Sequence, residues 1–229
     1  MPEALTIDFA KPVPLFPLPT CALLPHATVP LHVFEPRYRK MTREALDSRG
    51  LIAMAVFKGD QWQQEYENNP PIRDHVCVGY IVQHQKLEDG RYNILLQGVC
   101  RAKVVREVEH ESYRLAVLEP TETEQPMEID LSEQRECIEA LLNRPRMKQL
   151  AAVGAVHQWL SREVPTAAMI DLAILTLCSD IEQRYAMLAE PDVEARAAWL
   201  EQHLRQTDEL LVKAERLGSG VSEEGVPLN

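Results

Sequence analysis

The 229-residue chain has only nine glycines and no Gly-Lys pair, which excludes a phosphate-cradling P-loop. It has no G-x-G-x-x-G and no G-x-S-x-G, so it lacks both a dinucleotide fingerprint and a hydrolase nucleophile elbow. Its five cysteines, Cys21, Cys77, Cys100, Cys137 and Cys178, are odd in number and include no C-x-x-C. That is a poor disulfide framework and a poor zinc site, so buried, reduced thiols are expected. The single His-Glu pair, His110-Glu111, has Arg114 where H-E-x-x-H needs its second histidine. The seven histidines are scattered, and His75 and His84 would face opposite sides of one unbroken strand. Neither a metal nor a cofactor is expected. No apolar run approaches the roughly 18 residues that cross a bilayer. The N-terminus, MPEALTIDFAKP, shows no basic segment followed by an apolar core, so a cytoplasmic protein without a membrane partner is expected.

What is present falls into two parts. Residues 1–120 carry 15 acidic and 14 basic side chains, whereas residues 121–229 carry 20 and 10, so most of the net charge of −11 sits in the second part. An acidic surface repels phosphate backbones and argues against nucleic acid as a partner. Residues 12–34 hold six prolines, which rules out a long helix and suggests edge strands with turns. A helix is expected near Tyr38–Arg49. The run LIAMAVF (Leu51–Phe57) lies between Gly50 and Gly59 and has the look of a buried strand. Strands are expected at His75–Leu87, Arg91–His110 and Tyr113–Pro120, with Asp89-Gly90 as a hairpin turn and Tyr66–Arg73 as an exposed loop. These pieces suit a small, mostly antiparallel barrel.

After a polar linker at 119–128 the period becomes helical. Asp130 and Glu133 have capping-box spacing for a helix through Leu142, and Ser179 and Glu182 repeat it. Met147, Leu150, Val153, His157 and Leu160 step by three and four. Pro165 suits the first turn of a helix that carries Met169, Leu172 and Leu175. Asp192 is placed to cap a last helix, with Val193, Ala197, Leu200, Leu204, Leu211 and Leu217 inward and Gly218 ending it. The expected division is 10–120 for the barrel, 129–217 for the helices and 218–229 for a disordered tail.

The candidate binding residues are Phe34, Glu35, Arg37, Tyr38 and Arg101. The first four form the strand-to-helix junction, where Pro36 ends the strand and an arginine can pair with Glu35, because a partly buried charge needs a partner. Arg101 interrupts a run suited to a buried strand. Arg39, Lys40 and Arg43 read as a solvated helix face. Cys100, beside Arg101, reads as core rather than as a nucleophile. No catalytic constellation is visible.

The stretches PLFPLPTCALLPHATVPLHVFEPRYRKMTREAL and VGYIVQHQKLEDGRYNILLQGVCRAKVV resemble the N-terminal, substrate-binding domain family of Lon proteases. Phe16-Pro17-Leu18, Pro25, Pro30-Leu31, Phe34-Glu35-Pro36-Arg37-Tyr38, Gly79, Asp89-Gly90 and Gly98-x-x-Arg101 carry the resemblance. Met187–Arg196 extends it into the helical part. The resemblance implies an α+β fold, with a PUA-like, mostly antiparallel β-barrel followed by an α-helical bundle. It implies a strand-to-helix junction, not a catalytic site, at Phe34–Tyr38. It also implies a stand-alone, non-catalytic module that binds unfolded or flexible polypeptides without ATP. A separate protease or chaperone and a homo-oligomer are compatible with it. A small-ligand or RNA-binding PUA-like protein is the alternative.

Overall fold

The computed structural model describes residues 7–60, 62–66, 69–121, 127–160 and 164–216. Met1–Gln125 together with Cys178–Pro191 form one compact unit, and Pro126–Leu177 with Asp192–Asn229 form a second.

The first unit is built on six strands: β1 (Val13–Leu18), β2 (Thr28–Val33), β3 (Leu51–Val56), β4 (His75–Lys86), β5 (Tyr92–Val108) and β6 (Leu115–Pro120). Their order is β2-β5-β4-β3-β1-β6, and β6 also pairs with β5. All pairs are antiparallel except β1 with β3. The 17-residue β5 makes this possible, because Tyr92–Gln97 pair with β2 and the stretch from Ala102 to Val108 pairs with β6. Helix α1 (Pro36–Leu46) lies between β2 and β3, and a short α2 (Trp62–Glu65) follows β3. The α+β class and the mostly antiparallel strands agree with the sequence reading.

The apolar run of β3 is buried at all six positions, as befits a central strand covered on both faces. Val13, Leu15, Leu51, Ala53, Val76, Val78, Ala102 and Leu118 pack in one core cluster. Each fully buried valine or leucine in it contributes about 1.5–3 kcal/mol through removal of apolar surface from water. Pro36 opens α1, where its missing N–H costs nothing, and Tyr38, Met41, Thr42 and Ala45 form the buried stripe. Gly90 has φ +80° in the β4–β5 turn, as the Asp-Gly pair predicts. Gly98 is needed for another reason. A Cβ there would lie 2.2 Å from the Leu24 carbonyl oxygen, so only glycine lets the segment before β2 cross β5.

Several local expectations change. β1 is not an edge strand, since it sits between β3 and β6. Its β6 partners reach only Val13 and Pro14, and Pro17 lies beyond them. α2 is not signalled by any clear period. The segment read as an exposed loop has Pro70 buried, and Ile72 bridges to Phe57. Arg39 and Lys40 are not a free solvated face: Arg39 Nε donates to the Gly90 carbonyl at 2.8 Å and Lys40 Nζ to Ser112 Oγ at 2.8 Å. Arg43 is exposed.

The first unit also holds a helix. α6 (Ile181–Ala189), reached after α3 (Ser132–Leu142), α4 (Ala151–Leu160) and α5 (Thr166–Leu177), groups with the strands, not with the other helices. Its N-cap is Asp180, whose Oδ1 accepts from the N–H groups of Glu182 and Gln183, and not Ser179.

The second unit contains α3, α4, α5 and α7 (Val193–Arg216). Asp130 does not cap α3. It is the third residue of a 3-10 turn, Glu128–Leu131, and caps the start of that turn, its carboxylate accepting from the Met127 N–H at 3.2 Å. Met147 and Val153 are buried as their spacing predicts, with Val156 beside them, while Leu150 and His157 are half-buried. α5 buries Met169, Ile170, Ala173 and Ile174, so its inward face is turned from the expected Leu172 and Leu175. Asp192 does cap α7, with Oδ1 accepting from the Glu194 N–H at 2.9 Å. Val193, Ala197, Leu200 and Leu204 are buried. Arg196, one turn into α7, has its Nε 3.2 Å from Asp171 Oδ1 with both side chains almost fully buried. The side chain of Leu160, residues 122–126 of the expected linker, Leu217, Gly218 and the expected tail lie outside the described residues. No described helix is long and apolar enough to cross a membrane.

Candidate functional site

The junction between β2 and α1 brings four of the five candidate residues together and separates their roles. Phe34 follows β2 and is 60% exposed. Its ring stacks on His32, with centroids 6.2 Å apart. Glu35 is the N-cap of α1 but makes no side-chain cap. Its carboxylate turns instead to Arg37 and Tyr66: Arg37 Nε donates to Oε2 at 3.1 Å, and Tyr66 OH donates to Oε1 at 2.6 Å. The Arg37 guanidinium lies between two rings, 4.7 Å from the centre of Tyr38 and 4.6 Å from that of Tyr66. Tyr38 packs at 4.5 Å on Phe16, and Phe57 meets Tyr66 edge-on at 6.0 Å.

Of these residues Arg37, Tyr38, Phe57 and Tyr66 line a cleft of about 270 Å³ in the first unit, and His110, Glu111, Ser112, Tyr113 and Arg114 form another wall of it. That wall is fixed from two directions. Tyr113 OH donates to Glu44 of α1 at 2.6 Å, and Arg114 Nη1 donates to the Pro70 carbonyl at 2.6 Å. His110 Nδ1 accepts from the backbone N–H groups of Ser112 and Tyr113, which leaves its proton on Nε2.

Burial pushes the Tyr66 phenol above its ordinary value, and the bond to Glu35 adds to that. Burial raises Tyr38 also, against the opposing pull of Arg37. Burial works against the charge of Arg37, but Tyr38, Tyr66 and Glu35 outweigh it and hold the guanidinium protonated. Near neutral pH the cleft therefore presents neutral phenols, aromatic faces and a committed guanidinium. It can hold an apolar or hydrogen-bonding group.

Arg101 is not among the residues that line this cleft. It is 1% exposed in β5, and its Nε and Nη2 donate to the Met187 carbonyl of α6 at 3.4 and 3.3 Å. The last carbonyls of a helix have no partner within it, so a buried donor here secures the end of α6. Arg73 secures its start, lying 4.6 Å over the Tyr185 ring and pairing with Glu182. Tyr66, His110, Tyr113 and Arg114 escaped the sequence reading as site residues. The His110-Glu111 pair was visible only as an incomplete H-E-x-x-H motif; among the described residues no three His, Cys, Asp or Glu side chains form a metal-holding group. All five cysteines are reduced; Cys77 and Cys178 are buried and the other three half-buried. Burial raises the Cys21 and Cys178 pKa values, which makes them poor thiolates.

The family model for the ATP-dependent protease La (LON) substrate-binding domain matches residues 12–206. The Lon protease of Trichlorobacter lovleyi is 25% identical over 224 residues, covering 93% of this chain and 26% of the relative. Lon protease 1 of Myxococcus xanthus is 31% identical over 101 residues, or 40% of this chain and 12% of the relative. The chain thus spans at most about a quarter of the length of these relatives. Among solved structures, the N-terminal domain of the Mycobacterium avium complex Lon protease superposes with a TM-score of 0.64 at 16% identity, covering 85% of this chain and 98% of that one. A Lon N-terminal domain protein from Xanthomonas campestris gives 0.57 at 20% identity, with 83% and 96% coverage. With most of its length matched by one family model, the chain belongs to the Lon substrate-binding domain family.

Proposed function

We propose that the protein is a non-catalytic module that binds unfolded or flexible polypeptides through the strand-bearing unit. The observation that carries this reading is the match of residues 12–206 to a substrate-binding domain. Two features of the first unit support it: Phe34 is exposed, and Tyr38, Phe57, Tyr66 and Tyr113 line a cleft that accepts apolar side chains and backbone amides together. The module acts in the cytoplasm without ATP and delivers clients to a separate protease or chaperone. Acidic residues concentrated after position 120 keep it soluble and favour basic over acidic clients. Nucleic acid is not a partner in this reading.

Fluorescence anisotropy of a labelled, permanently unfolded protein tests the reading. Saturable binding is expected, with no binding of the native, disulfide-intact parent from which the unfolded form is made by reduction and alkylation. No binding of the unfolded chain would end the proposal. A second reading rests on the cleft alone, whose volume suits a small molecule between Arg37, His110 and Arg114. A thermal shift with small anionic compounds, lost on replacing His110 and Arg114 but not Phe34, would favour that reading.

A further inference from the structure

Strand β2 pairs with β5 along one edge, and no described strand covers the other. The register fixes which backbone groups face that open edge. Pro30 stands opposite Leu95 and has no N–H to give. The ladder bonds on either side of Pro30 therefore come from Val29 and Leu31, and alternation turns the backbone groups of Thr28, Pro30 and His32 outward. The bond from the Gly98 N–H to the Ala27 carbonyl at 2.8 Å obeys the same phase. The open edge thus offers two donors, the N–H groups of Thr28 and His32, and three acceptors, the carbonyls of Thr28, Pro30 and His32.

The face beside this edge is unusual for a chain with 26% charged residues. Three rows cross β2, β5 and β4: Thr28, Gln97 and Tyr80; Pro30, Leu95 and Gln83; His32, Asn93 and Gln85. None of these nine side chains is acidic or basic apart from His32. Eight are exposed, and Leu95 is half-buried. His32 is held in place, with Nδ1 2.7 Å from Asn93 Oδ1 and Nε2 accepting from Arg91 Nη1 at 3.1 Å. Phe34 stacked on His32 extends the same face.

We propose that an extended, uncharged segment of a client polypeptide adds to β2 as a further strand, with its aromatic and aliphatic side chains over Pro30, His32 and Phe34. This deepens the polypeptide-binding reading and rests on it. Exposed edge strands are commonly blocked by lysine or by inward-pointing charge, and β2 has neither. Its one blunting residue is Pro30, which acts against self-pairing. Two β2 edges placed together would each lack the central donor, whereas a foreign segment supplies an N–H to the Pro30 carbonyl. The uncharged rows favour uncharged client side chains, because a charged group laid over Pro30 and Leu95 would lose hydration without gaining a partner in those rows.

The test uses the whole protein and a short, end-capped peptide that alternates threonine with phenylalanine. Two further versions carry N-methyl groups on alternate residues, one on the threonines and one on the phenylalanines. Side chains are kept, and only the backbone donors of one edge are removed. The unmodified peptide is expected to bind and to protect the His32 amide from hydrogen exchange. One methylated version is expected to bind at least about tenfold more weakly, as the loss of two ordinary backbone bonds implies, and the other to bind about as well as the parent. If the parent binds but both methylated versions bind as well as it does, or both lose affinity equally, edge pairing is wrong and polypeptide binding stands. If neither the parent nor any unfolded protein binds, both are wrong.

Discussion

The guanidinium carbon of Arg37 stands 4.6 Å from the centre of the Tyr66 ring. The two residues share Glu35, which accepts from both side chains, so they act as one unit. Tyr66→Phe keeps the ring and removes the hydroxyl that Glu35 holds. The expected loss is about 1.5 kcal/mol, the lower end for a hydrogen bond to a charged group, since the carboxylate is partly exposed. Arg37→Ala and the double variant complete a cycle. Urea unfolding should show less than additive losses, because either change alone leaves Glu35 short of a partner. Strict additivity would mean that the three side chains are independent.

Arg101→Ala removes a long, fully buried side chain and the donor to the Met187 carbonyl. A loss of roughly 3 kcal/mol is expected from the cavity and the unpaired carbonyl together. Hydrogen exchange should locate the damage at α6, with faster exchange in residues 181–189. Unchanged exchange there would contradict the assignment of Arg101 as the residue that secures this helix.

The ion pair of Arg196 with Asp171 is nearly sealed from water. Arg196→Met alone leaves a carboxylate in the interior and should cost about 3–5 kcal/mol by thermal or urea unfolding. Adding Asp171→Leu should recover most of that loss, since an apolar pair of similar volume is often as good as a buried ion pair. A double variant no more stable than the single one would show that the pair holds α5 and α7 in a way apolar packing cannot replace.

These sites show how far the sequence could be read. The strands of the first unit, the Asp-Gly hairpin and the Asp192 cap follow from residue chemistry that acts over a few positions. The Glu35–Arg37 pair was legible for the same reason, being two residues apart. Tyr66 was not, because its bond to Glu35 spans 31 residues and nothing local marks it. Asp171 likewise gave no sign, although its partner Arg196 sits in the segment that resembles the family. α6 has an ordinary helical sequence, and it is the long-range contacts of Arg101, Arg73 and the Tyr185 hydroxyl bound to the His75 N–H that place it with the strands. The displaced caps at Asp130 and Asp180 reflect one shared difficulty. Neighbouring acidic and hydroxyl residues offer several equivalent starts, and tertiary packing selects among them.

At the β4–β5 turn, Asp89 accepts from the Arg91 N–H at 3.0 Å and from its Nε at 2.6 Å. The backbone bond first, and then Arg91's charge, hold the Asp89 pKa below its ordinary 3.8. A carboxyl depressed in the folded state adds stability above its unfolded pKa, and that stability is lost as pH falls through the lower folded value. Asp89→Asn should therefore be slightly less stable than the parent at neutral pH, and the difference should vanish well below pH 3.8. The effect is small because both side chains face solvent. Urea midpoints at the two pH extremes measure it; a difference that persists in acid would assign the effect to turn geometry instead of charge.

The central claim is that the strand-bearing unit binds polypeptide, and a hydrogen-exchange footprint tests it most directly. The intact protein is compared alone and saturated with a permanently unfolded protein. Protection concentrated in residues 28–46, the open strand and the first helix, is the predicted result. Protection confined to residues 127–160 and 193–216, or none at all, would contradict it.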